Sequence, residues 1–331
     1  MIGQVDGAGR GVRGLVERAV EVLRAGGLVA FPTETVYGLG ADATDTAAVS
    51  RIFAVKGRPA GHPLIVHLAS AADLDRWAAG VPAAARTLAE ACWPGPLTLL
   101  LARSPLVPDV VTGGRATVGL RVPAHPVALA LLEAFGGGIA APSANRFGHV
   151  SPTTADHVRA DLGDAVDLIL DGGPCTVGVE STIVDCTVDP PEVLRPGGVG
   201  LERLADLLGH PVGRWHGDRV VAAPGTLAAH YAPAARVVVV EPDEVVGAAA
   251  ELVAAGERVA LLTPAPVVGV DPAVIPLDPA GGTEHYARVL YQRLREADRL
   301  GAEVVLAVPP PAEGLGVAVR DRLERAARAQ R

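Results

Sequence analysis

Lysine is all but missing: Lys56 is the only one, and the other 28 of the 29 basic residues are arginine. Cysteine is scarce too. Cys92, Cys175 and Cys186 are odd in number and form no C-x-x-C pair, which argues against a disulfide framework or a zinc knuckle and leaves buried thiols. The nine histidines show no H-E-x-x-H spacing, so no metal cage built from side chains is expected. Aromatic residues are 3% of the chain, and a core within the 49% hydrophobic content has to come from valine, leucine and alanine. No apolar run approaches the ~18 residues of a membrane span. The first residues lack the basic, apolar and small-residue order of a secretory signal, so the expected location is cytoplasmic, with no membrane partner. Positive charge is in deficit: a formal net charge of −8 speaks against broad, sequence-independent binding to nucleic acid, while leaving room for a local basic pocket. Neither standard phosphate loop occurs, so a nucleotide has to be held by another device.

What is present suggests two α/β domains, which 331 residues accommodate at ~150 residues each. Apolar positions Val12, Leu15, Val16, Ala19 and Leu23 share a helix face, and Gly26-Gly27 stops it. Short apolar runs at 28–31, 64–68, 97–101, 117–121, 139–141, 168–170, 182–185 and 192–195 read as strands. Helices are expected at 47–55, 71–80, 83–91, 125–135 and from Ser151 to about Leu162. Several links are too short for helical crossovers, which favours a mixed sheet flanked by helices over a parallel one. Pro, Gly and His without periodicity mark a linker after His210. Beyond it, strands at 237–240, 259–262 and 304–307 alternate with helices at 243–255, 282–300 and 315–328, a smaller open sheet of βα units.

The stretch from Thr33 to Arg58 is the densest in chemistry. An apolar run delivers Pro32 and then Thr33, Glu34, Thr35 and Tyr37, with Gly38 and Gly40 giving the backbone freedom to approach a ligand. Lys56 and Arg58 follow a helix. A compact ammonium kept in so arginine-biased a chain suits a phosphate contact; a surface lysine without a role is the competing reading. Arg121, Arg195, Thr117, Ser143, Asn145 and Ser151 sit at strand ends or in the turns after them, where α/β proteins place ligand-contacting groups. Singly, each reads as a local turn or cap residue, and His67 as a satisfied core histidine.

Six blocks taken together are specific: F-P-T-E-T-V-Y-G-L-G at 31–40, K-G-R-P-A-G-H-P-L-I-V-H at 56–67, T-V-G-L-R-V-P at 117–123, A-P-S-A-N at 141–145, G-V-E-S-T-I-V-D at 178–185 and L-R-P-G at 194–197. They resemble the YrdC-like family of L-threonylcarbamoyladenylate synthases. The segments A-P-G-T-L-A-A-H-Y-A-P at 223–233 and E-G-L-G-V-A-V-R-D-R-L-E-R-A-A at 313–327 resemble the linker and last helix of its two-domain form. The resemblance implies a YrdC-like twisted mixed sheet over 1–208, a linker or lid over 209–235, and a Rossmann-like C-terminal α/β domain over 236–331. It implies a nucleotidyltransferase that makes threonylcarbamoyl-AMP and pyrophosphate from L-threonine, bicarbonate or CO2, and ATP. The product would pass to a downstream tRNA-modifying threonylcarbamoyl transferase complex acting on the adenosine beside the anticodon.

By the same resemblance, Thr33, His67, Arg121 and Ser181, with the main chain near Ala141, bind threonine. Lys56 and Arg58 supply charge to the phosphates as the catalytic pair. Thr117, Ser143, Asn145, Ser151 and Arg195 complete the nucleotide site, and Tyr231 reaches it from the linker. Mg2+ is expected to be held mainly through phosphate oxygens. His62 departs from the asparagine of many relatives, and Thr226-Leu227-Ala228-Ala229 is blander than their basic versions. Two other readings stay open: an RNA-binding module with a weak tRNA contact, weakened by the negative charge and few aromatics, and a carbamoyltransferase of the hydrogenase-maturation type. The latter would want an acylphosphatase-like segment and cysteine-rich zinc motifs.

Overall fold

The computed structural model describes residues 2–4, 9–215, 230–279 and 281–329. These fall into two units. The first takes the described residues up to Phe147, Pro152–Thr176, and 180–215; the second takes Gly148–Ser151, Val177–Val179 and the described residues from 230 onward. Thr226-Leu227-Ala228-Ala229 lies outside the described residues.

The first unit opens with β1 (Ile2–Gln4), α1 (Gly9–Arg24), β2 (Val29–Phe31), β3 (Gly38–Asp42) and α2 (Thr46–Lys56). It continues through β4 (Ile65–His67), α3 (Leu74–Trp77), α4 (Ala83–Cys92), β5 (Leu97–Ala102), α5 (Asp109–Thr112) and β6 (Thr117–Arg121). Then come α6 (Pro126–Phe135), β7 (Ile139–Ala140), α7 (Ala155–Leu162), β8 (Leu168–Asp171), β9 (Thr182–Asp185), β10 (Glu192–Arg195), α8 (Leu201–Leu208) and β11 (Gly213–Arg214). All eleven strands join one mixed sheet in the order β1-β8-β2-β3-β7-β4-β6-β5-β9-β10-β11. The larger apolar clusters on it include one with Tyr37, Ile52, Trp77, Leu88 and Leu120 and another with Leu23, Phe31, Leu131 and Ile139; a small one joins Leu100, Ile183 and Leu194.

Local chemistry sets the element ends that matter for the site. Asp45 caps α2 by accepting from the Ala47 and Ala48 N–H groups, and Gly57 ends it at φ 64°, in the left-handed region glycine adopts without penalty. Lys56 is therefore the last helical residue, and Arg58 follows the reversal. Pro126 starts α6 beside a His125 cap.

Several elements differ from the sequence reading. Gly38 to Asp42 is a strand, antiparallel to β2, not a turn shaped for a ligand. Packing requires the glycine at position 40, where a Cβ would lie 2.7 Å from Ile139 Cγ2 and 2.8 Å from Phe31 Cε1, and leaves a Cβ on Gly38 a tight 3.3 Å from Phe31 and Ala141. The helix expected over 71–80 is a short 3-10 turn at Ala71–Asp73 followed by the single turn α3. Ser151 does not start a helix; Thr154 caps α7 by accepting from the His157 N–H. Helix α8, which the periodicity reading passed over, packs on α4.

The second unit carries β12 (Arg236–Val239), α9 (Val245–Ala254), β13 (Val259–Leu262), β14 (Ile275–Pro276), α10 (Thr283–Arg299), β15 (Val304–Ala307) and α11 (Leu315–Arg328). Its strands form a parallel sheet in the order β12-β15-β13-β14. The segment 148–151 is tied into this unit: Arg295 donates to the Val150 carbonyl at 2.5 Å and the Ala232 N–H to that of Gly148 at 3.0 Å.

Candidate active site

Lys56 is buried, 3% exposed, although it is the chain's only lysine. Its Nζ donates to the Ser143 carbonyl at 2.6 Å and to the Asn145 carbonyl. The turn that offers those carbonyls follows β7 and is pinned to β3, where the Leu39 N–H donates to Pro142 O and the Ala144 N–H to Tyr37 O, both at 2.8 Å. Burial, and then the nearby Arg58 charge, hold the Lys56 pKa well below its ordinary value. Arg58 donates to the Pro63 carbonyl at 3.0 Å and lies over the Phe147 ring, 5.6 Å from its centroid. The Phe147 N–H donates in turn to Lys56 O at 2.8 Å. His62 packs edge-on against the same ring, and burial followed by the Arg58 charge lowers its pKa. The K-x-R pair and the S-x-N turn thus form one cluster.

A second cluster centres on Arg121. Strands β4 and β6 are parallel and pair His67 with Arg121, while β7 pairs Ile139 with His67. The Ala141 N–H donates to Ile65 O at 2.9 Å, so Ala141 lines the same strand. Arg121 Nη2 donates to Glu34 Oε1 at 2.6 Å, and its Nε to Gly95 O at 3.3 Å. Next along the chain, Pro96 O accepts the Thr182 N–H at 2.9 Å, which brings Ser181 to the same level. Ser181 Oγ shares a hydrogen bond with Thr98 Oγ1 at 2.7 Å and accepts from Arg195 Nη2 at 3.2 Å; the Ser181 carbonyl also accepts from Arg195. Gly197 is needed beside them, because a Cβ there would meet Glu180 O at 2.3 Å and Thr182 N at 2.4 Å. Arg195 therefore stands among the groups read as threonine ligands.

Thr33 closes a local turn. Its hydroxyl donates to Val36 O at 2.6 Å, shares a hydrogen bond with Thr35 Oγ1 at 2.8 Å, and accepts the Val36 N–H at 3.2 Å. Thr117 begins β6 and Arg121 ends it, so the two are about 13 Å apart along the strand. Ser151 and Tyr231 belong to the second unit. Tyr231 is buried there at φ 65°, with Arg322 over its ring at 5.0 Å and Tyr291 stacked at 5.9 Å. Sequence reasoning named Glu34 without giving it a role and passed over Thr98. A carboxylate between two threonines, in a turn where small polar groups predominate, was the available signal for the first. No group of three or more His, Cys, Asp or Glu among the described residues could hold a metal ion.

The His67 ring is buried, meets Phe31 edge-on at 5.8 Å, and its Nδ1 has no hydrogen bond among the described residues. Burial, reinforced by the Arg121 charge, pushes its pKa down to about 3, so the imidazole is neutral near pH 7. An unfolded chain, with histidine near 6.5, binds the proton first. Stability is therefore full above that value and falls as pH drops from about 6.5 towards 3. In thermal melts at stepped pH, a His67→Asn variant is expected to lose less stability than the parent between pH 7 and 4. Parallel losses would contradict a buried neutral His67.

The family model described as Telomere recombination matches residues 21–197, and the one described as Threonylcarbamoyl-AMP synthase, C-terminal domain, matches residues 199–328. Threonylcarbamoyl-AMP synthase of Pyrococcus abyssi is 46% identical over 319 residues, 93% of this chain and 92% of its own. That of Bacillus subtilis is 41% identical over 327 residues, 94% of this chain and 92% of its own. The crystal structure of P. abyssi Sua5 complexed with L-threonine matches with a TM-score of 0.91 at 42% identity, covering 100% of this chain and 98% of that one. Matched along nearly its whole length by both domain models and by these relatives, the chain belongs to the threonylcarbamoyl-AMP synthase family, in its two-domain form.

Proposed function

We propose that the chain makes L-threonylcarbamoyl-AMP and pyrophosphate from L-threonine, bicarbonate or CO2, and ATP, for threonylcarbamoyl modification of tRNA adenosine. The observation that carries this reading is the pairing of two clusters on neighbouring strands. Lys56 is clamped on the Ser143–Asn145 turn, and Arg121 lies in register with the neutral His67. Ile139, the partner of His67, precedes Ser143 by four residues, at most about 14 Å of chain. That span suits an amino acid placed against a triphosphate.

In this reading Arg121 takes the threonine carboxylate. Its Nε and part of Nη2 are already engaged, so the carboxylate meets the guanidinium end-on through Nη1. Neutral His67 can accept a hydrogen bond from the amine through a ring nitrogen, with Ser181 and Thr33 near the hydroxyl. The threonine ammonium gives one proton to water, and the free amine attacks CO2 to give a carbamate with release of a second proton to water. A carbamate oxygen then attacks the α-phosphorus in line and pyrophosphate leaves. Such a step asks for positioning and charge neutralisation, not a protein nucleophile. Lys56 and Arg58 supply the charge, and Ser143, Asn145, Thr117 and Arg195 of the first unit complete the nucleotide site. Mg2+ would be held mainly through phosphate oxygens and water. Residues 1–208 carry the chemistry and 236–331 form the accessory domain, while most of the expected linker or lid over 209–235 lies outside the described residues.

The test is pyrophosphate release with each substrate omitted in turn. Release is expected only with threonine, bicarbonate and ATP together. An equal rate without threonine would refute the reading.

A further inference from the structure

Glu34 has no part in the chemistry above, yet it makes the shortest polar contact to the group that binds the substrate carboxylate. We propose that Glu34 is a positioning residue for threonine: it fixes the Arg121 guanidinium so that Nη1 is presented to the substrate carboxylate. The proposal deepens, and rests on, the reading of Arg121 as the threonine anchor.

Both side chains are buried, 5% exposed for Arg121 and 8% for Glu34, and Nη2 meets Oε1 at 2.6 Å. The second carboxylate oxygen accepts the Ala124 N–H at 3.0 Å, so one group ties both the guanidinium and the chain leaving β6. Glu34 is itself held on a stiff support, since the hydroxyls on either side, Thr33 and Thr35, bond to each other. On the far edge, Gly95 O takes Nε. Held at Nε and at Nη2, the planar fork cannot rotate, and Nη1 makes no hydrogen bond among the described residues.

A role in stability alone explains this poorly. Buried ion pairs are weak stabilisers, because desolvation offsets much of their attraction. A full set of bonds would also be expected for a purely structural arginine, and here one nitrogen is left over. The pair is neutral overall, as is zwitterionic threonine, so binding adds no uncompensated charge to a dry site. Glutamate's two oxygens also provide about four acceptor positions, so holding Arg121 and Ala124 is within its capacity.

The experiment uses the full chain and measures pyrophosphate release against threonine and against ATP for the parent, Glu34→Gln, Arg121→Ala and the double variant. Glu34→Gln is expected to raise the threonine KM about 10-fold, the scale on which supporting partners act on a ligand site, with a smaller change in kcat and an ATP KM within about twofold of the parent. In the Arg121→Ala background the same substitution should add little, because the two residues act as one unit. Glu34→Asp keeps the charge while withdrawing it by one methylene, and should show the same selective rise if the glutamine variant folds poorly. An unchanged threonine KM, an equal loss for ATP, or full additivity with Arg121→Ala would overturn the proposal. A normal threonine KM in Arg121→Ala alone would instead overturn the anchor reading on which it rests.

Discussion

Lys56→Ala is expected to lower threonine-dependent pyrophosphate release by about 10³-fold, at the upper end of what removal of one preorganised electrostatic contact costs. Two losses combine. The phosphates lose the one compact cation aimed at them, and the carbonyls of Ser143 and Asn145 lose their buried donor. The ammonium has three protons, two engaged by those carbonyls and a third to offer a phosphate oxygen. Burial and the Arg58 charge hold its pKa down, and phosphate charge beside it favours the protonated form. Lys56→Arg should not restore activity, because the larger planar fork does not fit a pocket closed around a point charge. Steady-state pyrophosphate release checks both variants: parent-like turnover in Lys56→Ala would remove the phosphate role, and in Lys56→Arg it would remove the requirement for a compact cation.

Arg121→Ala is expected to raise the threonine KM by about 10²-fold, the worth of a charge-assisted bond pair at ~3 kcal/mol, and to alter the ATP KM far less. The selectivity follows from separation, since Lys56 is anchored on a different turn. The same change leaves Glu34 buried without its cation, which should cost roughly 3–5 kcal/mol in stability. Substrate titrations and denaturant unfolding read the two effects separately. Equal effects on threonine and ATP would contradict the assignment.

Much of the architecture was legible because it is written locally. Strands 182–185 and 259–262 and the helix at 315–328 have the bounds their apolar spacing suggests, since period and caps depend on neighbours in sequence. Gly38 and Gly40 were misread for the opposite reason. Their role is to clear space for Phe31 and Ile139, and nothing nearby in sequence announces a ring from another strand. Glu34 was illegible on the same ground: its meaning comes from Arg121, 87 positions later, and from a register that aligns β6 with β4. Lys56 was conspicuous by composition, but its clamp on two carbonyls depends on how the turn after β7 folds back. Ser151 and Tyr231 look like neighbours of the nucleotide by motif, and the contacts group both with the second unit. Short-range grammar gives elements; which side chains meet is decided by pairing.

The most direct measurement is a crystal structure of the full chain with L-threonine and a non-hydrolysable ATP analogue. The account predicts the threonine carboxylate on Arg121 Nη1 beside His67, and the phosphates against Lys56 and Arg58. Phosphates seated on Arg121, or a triphosphate that leaves Lys56 untouched, would contradict it.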